Sequence, residues 1–225
     1  DADGKNVGFV PVRLQLRGPQ SQLLYITEDK QKLPLAAGKW QVLFSRGLSW
    51  EFVQKDVEIK DGQTLPLTVE MKQAYATKGY VVADMHLHTT KSIDSEISIQ
   101  RRVQCLVAEG LQFVASTDHD VAVDYTPTIE QLKMKSWLQA IAGKEISPIT
   151  FHFGAFPFVP STTLDAYFNT GWARYNQDGR FLGVMTGPEI WATVKKRNPK
   201  ALIQLNHPRT NQAFLDYLKY SVKTG

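Results

Sequence analysis

The stretch GYVVADMHLHTTKSIDSE, residues Gly79–Glu96, marks a change of grammar in the chain. Its first half, YVVADMHLH, is an apolar run that predicts a strand, with Asp84, His86 and His88 alternating with single apolar residues at its end. On a strand, positions two apart point to the same side, so the two imidazoles project together with Asp84 one step behind. Two imidazoles on one face at a strand end make a natural first half of a metal site, although an H-x-H alone is more often a pair of satisfied or surface histidines.

Upstream of this stretch, VPVRLQLRG, QLLYITED, GKWQVLFSRG, EFVQKDVEIKDGQ and TLPLTVEMK are short alternating runs separated by Gly, Pro, Asp and Asn. Such spacing predicts strands. Trp40, Val42 and Phe44 fall on one face of the third run, Gln41 and Leu43 on the other. Lys60–Gly62 is a turn signal. The regular turns predict a small β-sandwich over residues 1–77. It carries no histidine and no catalytic cluster, so it reads as a structural or binding module.

Downstream, residues 78–225 read as a second domain of α/β class. Ser98 is a candidate N-cap, Ile99, Val103, Leu106 and Val107 form a helical stripe, and Gly110 is a stop. LQFVAST is a further strand. TGPEIWATVKKRNP offers a capping box from Thr186 to Glu189, with Pro188 in the first turn and Pro199 beyond the end. ALIQL follows as another strand. Strands alternating with helices predict crossover connections and parallel pairing. The segment FPFVPSTTLDAYFNTGWARYNQDGRFLGVMTG, rich in Gly, Pro and Asn, reads as long loops.

Composition narrows the function classes. The chain has 225 residues, 43% of them apolar and 21% charged, and a net charge of +4. That is the range of a soluble globular protein. No apolar run is long enough for a membrane span. Basic residues are scattered, with Lys195, Lys196 and Arg197 the densest group, so nucleic acid is not an expected partner. Cys105, the only cysteine, sits in the first helical stripe and reads as a small buried hydrophobe. The chain opens on DADGKNVG without Met, which is read as a removed leader or an excised piece, with an exported location as the guess.

The remaining histidines give the opening pair its weight. FVASTDHD places Asp118, His119 and Asp120 just past the second predicted strand, and LIQLNHPR places Asn206, His207 and Arg209 just past another. GKEISPITFHFGAFP supplies Glu145 and, further on, His152. All five histidines of the chain therefore fall at or near predicted strand ends, most with a carboxylate close by. In α/β sheets the carboxyl edge is where active sites are built.

Together DMHLHT, STDHD, GKEI…HFGAFP and NHPR resemble the successive motifs of the PHP (polymerase and histidinol phosphatase) superfamily of metal-dependent hydrolases. The closest likeness is to its CehA/McbA-like branch, whose members often carry an N-terminal β-sandwich. LPLAAGKWQVLFSRGLSWEF is similar to the segment that ends that sandwich. The resemblance implies a distorted seven-stranded (β/α) barrel holding two or three divalent ions, with Zn, Mn or Fe suited to the mixed ligands. It implies His86, His88, Asp94, His119, Glu145, His152 and His207 as ligands, Glu145 bridging. Asp84 and Asn206 are expected to support them by hydrogen bonds. Asp118 is expected to orient rather than ligate. Asp94, Asp118 or Asp120 would move the proton, and Arg209 would either grip an anionic substrate or make a surface ion pair.

Two departures from the family pattern stand out. Gly154 occupies a place where relatives commonly carry Asn. The chain ends at LKYSVKTG without the family's late D-x-H pair and with too few strands for a closed barrel. A fragment, with another chain completing the barrel, is therefore expected. Functionally, the reading is hydrolysis of a small-molecule phosphoester by a metal-activated water. The alternatives are carbamate or amide hydrolysis, and a non-catalytic binding module with a remnant metal site. A Ser–His–Asp triad is a poorer fit because no G-x-S-x-G appears, and there is no P-loop glycine pattern.

Overall fold

The computed structural model describes residues 7–148, 151–159, 172–208, 221 and 223. Four strands open the chain: β1 (Val12–Arg17), β2 (Ser21–Ile26), β3 (Gly38–Ser45) and β4 (Val53–Ile59). They form one antiparallel sheet in the order β2-β1-β3-β4. Alternation decides which face is covered. Leu14, Leu16, Trp40 and Val42 are buried, and Leu24, Ile26, Phe44, Val57 and Ile59 pack against them with Leu33 and Leu35 from the β2–β3 connection. Register brings the same set together, pairing Leu14 with Leu24 and Phe44, and Trp40 with Val57. The Trp40 ring also explains Gly18, where a Cβ would lie 2.6 Å from it.

The expected sandwich is thereby corrected to a single sheet among the described residues. TLPLTVEMK forms no strand, Leu65 and Leu67 are 38% and 42% exposed, and Trp50 pairs with Gln73 only as an isolated bridge. Pro66 removes a ladder donor in the middle of that run, which works against a strand there.

The chain divides into two compact units. The first comprises residues 1–83, 100–113 and 132–138; the second comprises 84–99, 114–131 and 139–225. Most of helix α1 (Ile99–Ala108) belongs to the first, where its Val107 carbonyl accepts from buried Arg46 Nη1 at 2.8 Å. Arg46 lies over the Trp50 and Trp137 rings, and burial pushes its guanidinium down to about 10. The predicted stripe on α1 buries Val103, Leu106 and Val107, and Gly110 ends the helix at φ 77°.

The second part of the chain adds β5 (Ala83–Asp84), β6 (Phe113–Ala115), α2 (Thr126–Gln131), β7 (Gln139–Ile141), β8 (Lys144–Ile146), β9 (Phe153–Phe156), β10 (Ala173–Tyr175), β11 (Phe181–Val184), α3 (Gly187–Arg197) and β12 (Leu202–Leu205). Its sheets run β5-β6-β7, β12-β9-β8 and β10-β11. The α3 start is the predicted capping box, with Thr186 N and Oγ1 both donating to Glu189 Oε2 at 2.7 Å. Ile190 and Val194, one turn apart, pack onto Ile146, Phe153 and Ala155.

The barrel expectation is overturned. Among the described residues strands make up 31% and three helices 14%, and no barrel closes. A parallel pair needs a crossover of a dozen residues or more, usually helical. Residues 142–143 between β7 and β8, and 147–152 between β8 and β9, are too few for that. β9 instead pairs antiparallel with both β8 and β12. The hairpin β10–β11 occupies part of the segment read as loops. A second chain completing the barrel was an expectation resting on that architecture. No helix among the described residues is long and apolar enough to cross a membrane.

Candidate metal centre

Antiparallel pairing does locally what a parallel edge was expected to do. Phe153, the first residue of β9, is paired with Ile146 at the end of β8 and with Leu205 at the end of β12. The residues flanking these three positions therefore share one edge: Glu145 and Ser147, His152, and Asn206 with His207. Asn206 N donates to the His152 carbonyl at 3.0 Å and closes that edge.

Two further segments are tied to the same edge through backbone bonds. His119 bridges to Glu145 in parallel, with Glu145 N donating to Asp118 O at 3.1 Å and Asp120 N to Glu145 O at 2.7 Å. The 86–94 segment is then held to 117–119. Leu87 N donates to Thr117 Oγ1 at 2.7 Å, Thr117 N to Leu87 O at 3.1 Å, and Thr89 N to Asp118 Oδ1 at 2.6 Å. Asp118 is fully buried and also accepts from Thr89 Oγ1 and the Tyr125 hydroxyl. It anchors the H-x-H segment. Asp84 Oδ1 accepts from His86 N at 3.0 Å at the start of the same segment.

All five histidines converge on Glu145, whose side chain is 0% exposed. His86 Nε2 and His207 Nε2 each lie 3.2 Å from its Oε1, and His152 Nδ1 lies 3.4 Å away. His88 Nε2 and His119 Nδ1 lie 3.3 and 3.1 Å from Oε2. Asn206 Nδ2 donates to Oε1 at 2.7 Å. Asp94, about half exposed, sits 3.4 Å from His88 Nδ1 and 3.3 Å from His119 Nε2. Burial alone would raise the Glu145 pKa. The His152, His86 and Asn206 groups outweigh it and hold the carboxyl far below its ordinary range. Glu145 raises His86 in turn, whereas burial lowers His88.

Among the described residues, three groups of side chains can hold an ion: His86, His88 and Glu145; His88, Asp94 and His119; His119, Glu145 and His152. The separations suit a cation better than protons. Charge-assisted N–H···O bonds close to ~2.7–2.9 Å. Ligands at ~2.0–2.1 Å from a tetrahedral zinc stand ~3.3 Å apart, close to the spacing of the ring nitrogens around Glu145. Glu145 Oε2 and His152 Nδ1 are, moreover, buried without a hydrogen-bond partner. A buried carboxylate oxygen with imidazole nitrogens 3.1 and 3.3 Å away but no hydrogen bond calls for an explanation, and a bound ion is one. The residues fit divalent metal.

Around this cluster lie the expected Asp120 and four residues that the motifs do not single out, Ser92, Ser147, Trp172 and Lys144. Ser92 Oγ accepts from His119 N at 2.8 Å and lies 3.0 Å from His88 Nδ1; Ser147 Oγ lies 2.5 Å from His119 Nδ1. Asp120 Oδ1 accepts from Ser147 N at 3.2 Å and Trp172 Nε1 at 3.0 Å, and burial raises its pKa. Lys144 is buried with its ammonium 4.9 Å from the Phe158 ring, and burial pushes it down to about 8. Ser92 lay within the opening stretch and Ser147 beside Glu145, but serines carry no periodic signal. Asp120 and His207 hold left-handed backbone at φ 58° and 27°, strain that persists where surrounding contacts over-determine it. Arg209 lies outside the described residues.

No protein-family model matches the chain, and no curated protein matches it. The class defined by the site is a buried carboxylate ringed by imidazoles at one sheet edge.

Proposed function

We propose that this chain is a divalent-metal-dependent hydrolase acting on a small-molecule phosphoester, with two or three ions (Zn, Mn or Fe) held by the histidine–carboxylate cluster. The observation that carries the reading is the geometry at Glu145, fully buried and within 3.1–3.4 Å of a ring nitrogen from each of the five histidines, with its carboxyl held far below the ordinary range. The likeness of DMHLHT, STDHD, GKEI and NHPR to PHP motifs supports the same chemistry. The net charge of +4 is compatible with an anionic substrate.

Bound divalent ions would supply Lewis acidity, polarising the phosphoryl oxygens and making water nucleophilic near neutral pH. The chain's own residues do the rest. Asn206 orients Glu145 through its 2.7 Å bond, and Asp118, through Thr89, holds the H-x-H segment in place. Asp120, with its pKa raised by burial, is the carboxyl prepared to hold a proton and deliver it to the departing oxygen.

Elemental mass spectrometry of the full chain and of Glu145→Gln tests the reading, alongside turnover of aryl phosphates and aryl carbamates. The parent is expected to hold about two or more transition ions and the variant to lose them, with phosphates turned over. A parent without tightly bound metal sinks the proposal. Metal with turnover of carbamates alone would move the substrate class.

A further inference from the structure

His88 and His119 each belong to two of the three possible ion-holding groups, and an imidazole ordinarily ligates through one nitrogen only. Something must decide which. On each of these two rings a serine hydroxyl meets Nδ1: Ser92 Oγ at 3.0 Å from His88 and Ser147 Oγ at 2.5 Å from His119. Resting on the metal-centre reading above, we propose that Ser92 and Ser147 are positioning residues that fix these two imidazoles with the proton on Nδ1, so that Nε2 is the nitrogen offered to a divalent cation.

The hydrogen-bond inventory supports this direction. A serine hydroxyl has one hydrogen and two lone pairs. Ser147 Oγ donates to the Glu145 carbonyl at 3.1 Å, which leaves a lone pair for His119 Nδ1–H. Ser92 Oγ accepts His119 N–H at 2.8 Å and has a lone pair left for His88 Nδ1–H, a direction favoured by the Asp94 carboxylate, whose Oδ1 lies 3.4 Å from the same Nδ1 and can only accept. Nε2 of His88 then faces Glu145 Oε2 at 3.3 Å, and Nε2 of His119 faces Asp94 Oδ2 at 3.3 Å. His88 is thereby sorted into the group with His86 and Glu145, and His119 is paired with Asp94. The group of His119, Glu145 and His152, which would use His119 Nδ1, is closed by Ser147. Ser147 is itself held by its N–H to Asp120 Oδ1, so Asp120 and Trp172 stand behind the choice.

The tautomers are read directly by long-range 1H–15N correlation on the 15N-labelled full chain. Spectra are taken before and after chelation, at about pH 8, where ordinary imidazoles are neutral. Both rings are expected as Nδ1–H. Ser147→Ala should release His119 into a mixture while His88 stays; Ser92→Ala should act on His88, and Ser147→Thr should restore the parent pattern. Zn2+ titration should show about 10–100-fold weaker binding at one ion in either alanine variant. His119 protonated on Nε2 in the parent chain overturns the proposal, without recourse to any variant. So does an unchanged His119 tautomer in a folded Ser147→Ala protein. A parent that takes up no metal and turns over no substrate defeats the functional reading instead, and the tautomer result stands apart from it.

Discussion

The surroundings of Asp120 favour its protonated form. Burial raises its pKa against the opposing pull of Trp172 Nε1, Ser147 N and the Lys144 and His119 charges. An acid that must be protonated to act loses activity as pH rises through that raised pKa, so the alkaline limb of the rate profile should belong to it. Asp120→Asn keeps an acceptor for Ser147 and Trp172 but carries no transferable proton. It is expected to lower kcat about 10²–10⁴-fold and to flatten the alkaline limb, with metal content unchanged. A pH profile of kcat on an aryl phosphate checks this, and an intact alkaline limb in the variant would remove Asp120 from the chemistry. Asp118, whose oxygens accept from Thr89 and the Tyr125 hydroxyl, holds the H-x-H segment in place instead.

Among the elements, the β7–β8–β9 run decides both how the site is made and why its architecture was misread. Gly143, between β7 and β8, has the Ser116 carbonyl at 2.8 Å, the Ala155 carbonyl at 2.9 Å and Phe156 Cβ at 2.9 Å from where a Cβ would be. Only glycine fits between those backbones. Gly143→Val should cost about 1–3 kcal/mol, seen as a lower denaturation midpoint with an unchanged denaturant slope; an unaltered midpoint would mean the strands are not so closely set. The helices α1 and α3 were legible because a 3.6-residue stripe and caps are local signals. The histidine and carboxylate ligands were legible too, since residue types that bind metal stand out in a chain with only five histidines. Strand direction was not. KEI and FGAF are short runs that fit parallel or antiparallel pairing equally, and only the spans 142–143 and 147–152 set the choice. The fifth alternating run differs: its period suits a strand, but Leu65 and Leu67 stay 38% and 42% exposed and no neighbouring strand pairs with it among the described residues.

For the molecule as a whole, the second unit draws its centre from segments widely separated in sequence: 86–94, 118–120, 145–152 and 206–207. Few of the links among them are extended ladders. They are single bonds such as Asp120 N to Glu145 O and Thr89 N to Asp118 Oδ1, around a buried carboxylate whose Oε2 makes no hydrogen bond. An ion bound there joins all four segments and must stabilise the folded state by mass action, by about 4 kcal/mol when the free ion stands a thousandfold above its Kd. Chelation should therefore act unevenly along the chain. Amide exchange in the 86–94, 117–120, 145–147 and 204–207 stretches should accelerate, by up to about a thousandfold where opening of the centre limits exchange. The β1–β4 sheet, whose Leu14, Leu16, Trp40 and Val42 core owes nothing to the histidines, should keep its protection. Hydrogen exchange followed by mass spectrometry, with and without Zn2+, separates the outcomes. Equal acceleration in β1–β4 would mean that the ion supports the whole chain, and no acceleration at the four segments would mean that their mutual bonds hold the centre without it.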